Sequence, residues 1–294
     1  MNPGNRPGFF ICSAPPKQTG PEPIMRIASY WLACLAALPS LCVAAGSCER
    51  LVATASPDAP PYAWRDPADP RKLIGASVDV LASAAAQLGV KIDVLYAGRR
   101  SQALEEVRSG RMDILADAVL TEADLEHLDY VHPALAFNDY LIWSRQGSTT
   151  TYSTLADLPA HRGVMSAKAR PTPAFAAFSA EHLALEPAEN LTHTLETLAQ
   201  GKADYAIAPR YAGAAVVAAL GLDGRVVASE VAVDRPGIYL AIAQDSACND
   251  GWLRGQLAKK MTELAASGGI QPILQRNAER WKQQQQALSG AVKP

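Results

Sequence analysis

Apolar residues along the chain form short runs that alternate with stretches of helical period. LVATAS (51–56) is a short apolar run, KIDVLYA (91–97) alternates, and MDILADAV (112–119) returns as a further strand. Between them, residues 75–89 place apolar side chains on one helical face and end at a glycine, and residues 101–109 are also helical. This order of strands and helices predicts parallel pairing in a doubly wound α/β sheet.

A second unit follows LIWSRQG (141–147) and alternates in the same way. Its predicted elements are strand 163–167, helices near 171–182 and 191–200, strand 204–208, helix 211–221, strand 225–229, strand 237–245 and helix 249–269.

One helix–turn–strand segment occurs in both units. ALEEVRSGRMDILA (103–116) and TLETLAQGKADYAI (194–207) share a glycine, a basic residue and an aspartate at matching positions. Two similar lobes predict two sheets that face each other across a cleft. Ligands of open α/β sheets bind beyond the carboxyl ends of the strands, so hinge closure would bury a ligand between the lobes.

The predicted fold is therefore α/β and two-lobed, each lobe holding a doubly wound, mostly parallel sheet, with a ligand cleft and a hinge between them. The polar end of the chain is predicted to be a flexible tail. The predicted bounds are lobe 1 at 46–141 plus 237–283, lobe 2 at 142–236, the tail at 284–294, and hinges at the crossings near 140–146 and 232–238.

Residues 1–45 are interpreted as a leader and signal peptide. From Met25 the chain has one arginine, an apolar run of about fifteen residues and VAA before Gly46, the pattern of a secretory signal cut after Ala45. An uncleaved membrane anchor is the alternative, but Pro39 interrupts the run and the run is short for a span of ~20 residues. Residues 1–24 are predicted to be an over-extended gene start or a disordered leader. The mature protein is expected in the periplasm.

Two cysteines, Cys48 and Cys248, remain after such a cut. An even pair in an exported chain favours a disulfide. The alternative is that Cys48, preceded by AGS, is lipidated, although that box lacks the usual leucine three residues upstream.

Composition favours a small-molecule or protein partner. With 49% apolar and 19% charged residues the chain is typical of globular proteins, and a net charge of −2 gives no basic footprint for nucleic acid. The five histidines have no metal-binding spacing, and neither a GxSxG elbow nor a glycine-rich phosphate loop occurs. We therefore predict a monomeric binding protein with no metal, no cofactor and no catalytic residue.

The ordered motifs resemble those of the family 3 extracellular solute-binding proteins, the periplasmic amino-acid-binding type. The segments LADLPAHRGVMSA and GKAD in the second lobe, and GGIQPILQRNAERW at the end, match the general pattern of that family. The resemblance covers roughly 48–283 and implies capture of a small ligand for an ABC permease or a sensor's periplasmic domain. In the first lobe it is carried by Asp58, Pro60, Pro61, Tyr62, Gly75, Val78, Asp79, Gly110, Asp113, Thr121, Asp129, Tyr130 and Pro133.

The residues that hold an amino acid in that family are replaced here. Asp124 stands where an arginine grips the α-carboxylate, and Pro209 stands where an aspartate receives the ammonium. Ala59 and Ala97 stand where aromatic side chains clamp the ligand. A standard amino acid held in the usual way is therefore not expected.

Other residues near the strand ends are candidates for ligand contact. Asp117 would accept hydrogen bonds from an amine or a sugar hydroxyl, while Lys168 and Arg170, ahead of a helix, would suit an anion. Tyr62 and Trp64 would stack on a ring, although core packing is the other interpretation of Tyr62. The predicted ligand-binding set is Tyr62, Arg100, Asp117, Val119, Lys168, Arg170 and Arg210.

An enzyme on the same fold is the alternative function. The resemblance extends to cyclohexadienyl dehydratase, a periplasmic enzyme that needs cations for its substrate's carboxylates and a well-placed acid. Asp117 or Asp124 would serve as that acid.

Overall fold

The computed structural model describes residues 48–148 and 152–291, so the leader predicted for residues 1–45 lies outside the described part. The strands are β1 Arg50–Thr54, β2 Asp58–Ala59, β3 Ala63–Arg65, β4 Leu73–Ile74, β5 Lys91–Val94, β6 Ile114–Val119, β7 Leu128–Phe137, β8 Tyr140–Arg145, β9 Arg162–Ser166, β10 Ala184–Ala188, β11 Tyr205–Pro209, β12 Val226–Asp234 and β13 Gly237–Ala243. The α-helices are α1 Ala76–Leu88, α2 Arg100–Arg108, α3 Pro173–His182, α4 Leu191–Ala199, α5 Arg210–Ala219, α6 Gly251–Ala266 and α7 Ile270–Ala291.

Two five-stranded sheets form the framework. Lobe 1 contains the sheet β5-β1-β6-β13-β7, and lobe 2 contains the sheet β10-β9-β11-β8-β12. In each sheet one half is parallel and the other half antiparallel, so the sheets are mixed rather than mostly parallel. The physical reason is the double crossing of the chain, since β8 and β13 enter their sheets directly from a strand of the other lobe and run against their neighbours.

The crossings are short. The chain passes from β7 to β8 through residues 138–139 and from β12 back to β13 through residues 235–236. The first crossing thus lies just before the range 140–146 favoured by the sequence, because β8 already pairs with β11 from Tyr140 onward. Both crossings are two residues long, which suits a hinge.

The repeated aspartates have the same structural role in both lobes. Asp113 accepts a hydrogen bond from the N–H of Val52 in β1 at 2.7 Å, and Asp204 accepts one from the N–H of Arg162 in β9 at 2.9 Å. In each case the carboxylate ties the start of one strand to its parallel neighbour. The backbone N–H of Arg162 also holds the pKa of Asp204 below its usual range. The repeat therefore specifies the fold rather than a ligand site.

The glycines of the repeat differ in their surroundings, which gives a matched prediction. Gly110 and Gly201 both have positive φ, 69° and 75°, where a side chain costs about 1–2 kcal/mol. A Cβ on Gly110 would also lie 2.6 Å from the carbonyl oxygen of Asp245, whereas one on Gly201 would come no nearer than 3.8 Å to Arg145. Gly110→Ala is expected to lower the free energy of unfolding by about 1–3 kcal/mol more than Gly201→Ala, as measured by urea denaturation. Equal losses would contradict the close approach.

Each lobe has its own apolar core. In lobe 1, α1 and α6 cover the sheet with Val80, Leu81, Leu253, Leu257 and Met261, all buried. Helix α1 ends at Gly89 in the left-handed conformation, as the sequence predicts. The disulfide joins Cys48, just before β1, to Cys248, just before α6, so it lies within lobe 1. The Cys48 sulfur is thereby engaged and is not available for a lipid thioether.

Helix α7 joins the two lobes. It packs against α1 in lobe 1 and α5 in lobe 2, and it continues to Ala291 through residues that the sequence assigns to a flexible tail. The glutamines of this stretch are good helix formers, and Gln284 accepts a hydrogen bond from Trp64 Nε1 at 2.9 Å. Within the described ranges, no helix is both long and apolar enough to cross a membrane.

Candidate functional site

A cavity of about 440 Å³ lies between the lobes. Lobe 1 contributes the segment around β2 and β3, lobe 2 contributes the β9–α3 loop and the first turns of α4 and α5, and α7 covers one side. The lining includes Asp58, Ala59, Tyr62, Trp64, Arg65, Asn138, Tyr140, Ser166, Lys168, Ala169, Arg170, Asn190, Leu191, Thr192, Pro209, Ala212, Trp281 and Gln285. Another hollow, of about 510 Å³, runs along β8 and β12 and takes its walls from lobe 2 alone.

Arg170 crosses the cleft. It follows β9 in lobe 2, and its Nη1 donates to Asp117 Oδ2 at 2.9 Å, the Asp117 carbonyl oxygen at 3.2 Å and Ser56 Oγ at 3.1 Å, all in lobe 1. The side chains of Arg170 and Asp117 are 8% and 0% exposed, so the ion pair is buried. Separation of the lobes would break every one of these contacts.

The ends of this ion pair are fixed within their own lobes. Asp117 Oδ1 accepts the N–H of Ser56 at 2.9 Å, and the N–H of Arg170 donates to Tyr140 Oη at 2.9 Å. Burial disfavours the charged guanidinium, but Asp117 and Tyr140 outweigh that effect, and the pKa of Arg170 is raised. Arg170 therefore stays charged, with Asp117 as its counter-ion.

Aromatic side chains form the apolar part of the wall. Tyr62, Trp64 and Tyr140 are buried, and Trp64 meets Trp281 edge to face with ring centroids 5.5 Å apart. Tyr62 Oη donates to the carbonyl oxygen of Phe137 at 3.0 Å, beside the first crossing, and burial raises its pKa. Tyr62 packs in a core cluster and also lines the cavity, and its contact with a ligand stays a prediction.

Two amides at the start of the helix that follows Arg170 are engaged within lobe 2. The N–H of Thr172 donates to Asp234 Oδ2 at 2.8 Å, and the N–H of Phe175 donates to Thr172 Oγ1 at 3.1 Å. These two amides are not offered to a ligand, and the expectation that α3 would help Lys168 and Arg170 to hold an anion stays a prediction. Helix α4 lines the cavity with its first turn, through Leu191 and Thr192.

Asp124 is not among the described residues that line the cavity, and its carboxylate is engaged within lobe 1. Arg108 donates to its Oδ1 through both Nε and Nη2, and Thr121 Oγ1 donates to its Oδ2 at 2.6 Å. The carboxylate at the position of the family's arginine is thus paired with Arg108 within lobe 1.

Asp139 connects the two crossings. It pairs with Arg235 Nε at 2.7 Å and with Arg210 Nη2 at 3.4 Å, while the N–H of Arg210 donates to its carbonyl oxygen at 2.8 Å. Arg235 also lies over the ring of Phe137 at 5.3 Å. These contacts orient the proposed hinge and leave Arg210 bound to Asp139 rather than directed at the cavity.

The structure brings together only part of the predicted ligand set. Tyr62, Lys168 and Arg170 line the cavity, and Asp117 lies directly behind Arg170 with both carboxylate oxygens engaged.

The other three lie elsewhere. Val119 is 8% exposed and packs in a cluster with Tyr62, Ile238 and Leu274. Arg100, exposed at the start of α2, has its pKa lowered by partial burial and by the nearby charge of Arg170. Neither these two residues nor Arg210 is among the described residues that line the cavity.

Sequence reasoning missed several wall residues. Asn138 lies in a crossing, Thr192 in the first turn of α4, and Trp281 and Gln285 in the stretch of α7 near the end of the chain. The asparagine-capped start of α4 at Asn190 was the available signal for Thr192, since helix N-termini often face ligands. In the described part of the chain, no group of three or more His, Cys, Asp or Glu residues is placed to hold a metal ion.

The model of one protein family matches most of the chain. That family is the bacterial extracellular solute-binding proteins, family 3, and the match runs over residues 51–280. No curated protein sequence matches the chain.

Solved structures share the fold at low sequence identity. A histidine kinase sensor domain with similarity to periplasmic binding proteins has a TM-score of 0.61 and 20% identity, covering 78% of this chain and 96% of that one. An amino acid ABC transporter substrate-binding protein from Streptococcus pneumoniae, bound to L-arginine, has a TM-score of 0.60 and 16% identity, covering 79% and 96%. The P235GK mutant of ArgBP from T. maritima has a TM-score of 0.56 and 18% identity, covering 78% of this chain and 94% of that one. The predicted two-lobed α/β fold is thereby confirmed.

Proposed function

The chain belongs to the bacterial extracellular solute-binding proteins of family 3, and on that basis we propose that it captures a small polar ligand between its lobes and presents it to a membrane partner. The ligand enters while the lobes are apart. Closure then brings the β9–α3 loop of lobe 2 onto the strand ends of lobe 1 and removes the ligand from water.

One observation carries this proposal most directly. The 440 Å³ cavity takes its wall from both lobes, so a ligand within it would contact both at once. A ligand that binds only the closed arrangement shifts the open–closed equilibrium by its difference in affinity for the two forms. Tyr62, Lys168 and Arg170 are the proposed ligand contacts among the residues predicted from sequence.

The proposed motion is a rotation about residues 138–139 and 235–236. The lobes on either side follow the predicted division into 46–141 plus 237–283 and 142–236, with the boundary moved to Asp139 so that β8 stays whole. Arg235 and Arg210, which hold Asp139, would keep the two crossings in register as the lobes move.

The proposed site of action is the periplasm, where the predicted signal peptide would deliver a monomer. An ABC permease and the periplasmic domain of a sensor are the two candidate partners, since proteins of this fold serve in both settings. Each kind of partner would bind the closed form, so the capture step is common to both.

A thermal-shift screen tests the proposal. Residues 46–294 would be heated with amino acids, dicarboxylates, polyamines, sugars and aromatic acids. A ligand of the folded form stabilises it by about 2.7 kcal/mol at a hundredfold excess over Kd, which is a measurable rise in Tm. At least one compound is expected to produce that rise.

A pair of variants on helix α4 locates the binding site. Thr192 lines the cavity, whereas Thr197, five residues further along the same helix, is not among the described residues that line it. Thr192→Trp fills the cavity and is expected to abolish the ligand-induced rise in Tm, while Thr197→Trp is expected to retain it. Loss in both variants, or in neither, would place the ligand elsewhere.

Both acids considered for the dehydratase alternative are engaged within the protein. Asp117 shares its oxygens between Ser56 and Arg170, and Asp124 shares its oxygens between Arg108 and Thr121. Neither carboxyl group is presented to a substrate in this arrangement, so capture remains the function that the site supports best.

A further inference from the structure

The chemistry of the cavity wall identifies a class of ligand. We propose that the ligand is a small organic oxyanion, a carboxylate or phosphate carried on an apolar ring, with no cationic group. This inference rests on the proposed function in taking the cavity as the ligand site.

The first support is the free edge of Arg170. Only Nη1 of its guanidinium is engaged, with Asp117 and Ser56, and the described part of the chain offers no acceptor to Nε or Nη2. The residue lines the cavity, and neither free nitrogen is fully enclosed by protein. The Nε–Nη2 edge of an arginine is the fork that binds two oxygens of a carboxylate or phosphate.

The second support is an unmatched cationic donor at the cavity. The ammonium of Lys168 makes no hydrogen bond or ion pair with the described residues. This group donates only, so an acceptor-rich ligand would satisfy it, whereas an ammonium would not.

The third support is the state of the acidic residues. Asp117 is 0% exposed and both of its oxygens are used, so it is closed to an ammonium group. Asp58 is the other carboxylate at the cavity, and it is exposed at the rim, where water competes for it. The buried charge that a ligand meets is therefore the guanidinium of Arg170.

The remaining wall suits the rest of such a molecule. Trp64, Tyr62 and Tyr140 supply ring surfaces, which favour a flat apolar body. The first turn of α4 faces the cavity through Leu191 and Thr192, and the positive end of a helix dipole favours an anion.

The test compares head groups on a constant skeleton by isothermal titration calorimetry. The benzyl series is phenylacetate, benzylphosphonate, phenylacetamide, phenethylamine and phenylalanine, and the indole series is indole-3-acetate, tryptamine and tryptophan. The oxyanions are expected to bind at least tenfold more tightly than the amide, amine and zwitterion of the same series. The carboxylate and the phosphonate show which oxyanion is preferred.

A lysine pair links the selectivity to this wall. Lys168→Met is expected to weaken oxyanion binding about tenfold, the effect of losing one charge-assisted hydrogen bond. Lys202→Met, at an exposed position of the lobe 2 repeat, is the control and is expected to leave binding unchanged. Both side chains are exposed, so neither change is expected to disturb folding.

The outcomes separate this inference from the function on which it rests. Tight binding of an amine, an amide or a zwitterion in preference to the oxyanions would overturn the oxyanion class and leave ligand capture in place. Oxyanion binding that Lys168→Met does not weaken would also overturn it. Failure of these series together with silence across the broader screen would overturn the proposed function itself.

Discussion

Replacement of Asp117 by alanine is expected to destabilise the closed arrangement by about 3–5 kcal/mol, the usual cost of leaving one member of a buried ion pair alone. Arg170 would remain buried at the lobe 1 surface without a counter-ion. Because Arg170 belongs to lobe 2, its charge reaches water when the lobes separate. The variant is therefore expected to show a larger radius of gyration by small-angle X-ray scattering, with a lower Tm.

Two further variants provide stability changes with which the loss in Asp117→Ala can be compared. Arg210→Met removes the pair with Asp139, whose partners are 40% and 20% exposed, and is expected to cost under about 1 kcal/mol. The double variant Asp117→Leu with Arg170→Leu replaces the buried pair by apolar groups and is expected to recover much of the loss. An Asp117→Ala protein as compact and as stable as Arg210→Met would show that the pair does not hold the lobes together.

Loss of the disulfide is expected to lower the free energy of unfolding by about 4–5 kcal/mol. Cys48 and Cys248 are 200 positions apart, and closing so long a loop removes much entropy from the unfolded chain. The double variant Cys48→Ser with Cys248→Ser is expected to unfold about 10 °C lower than the native protein by circular dichroism.

A reductant supplies the matched control for that measurement. Dithiothreitol is expected to bring residues 46–294 of the native sequence down to the Tm of the double variant and to leave the variant unchanged. The leader cysteines Cys12, Cys34 and Cys42 are absent from that protein, so they do not interfere. If the Tm of the native protein does not change with the reductant, and two free thiols can be titrated, the Cys48–Cys248 disulfide is contradicted.

The fold could be predicted from local patterns because its elements are regular and repeated. Helix α1 could be predicted from its apolar face and from the glycine at its C-terminal end. The Gly–x–x–Asp turn occurs once in each lobe because the same carboxylate-to-backbone bond starts an equivalent strand. The small sheet β2–β4 is not among the predicted elements, since its strands are two or three residues long and Pro60 and Pro61 lie between β2 and β3.

The site could be predicted only in part because its contacts join distant residues. Asp117 and Arg170 could be predicted at the cleft because each lies near the end of a strand. Their ion pair could not, because the two residues are 53 positions apart and pair only where the lobes meet. Trp64 donates a hydrogen bond to Gln284, which is 220 residues away in the sequence. A run of glutamines has no apolar periodicity from which that contact could be predicted. Local patterns specify secondary structure well, and contacts between lobes poorly.

Helix α7 makes the cavity depend on a part of the chain that follows both sheets. Both sheets are complete once β13 has formed, and the match to the family ends at Arg280. Trp281, Gln284 and Gln285 lie beyond that point and close one side of the cavity. A premature stop codon or a proteolytic cut after Arg280 would therefore leave a protein with both sheets and a cavity that lacks one wall.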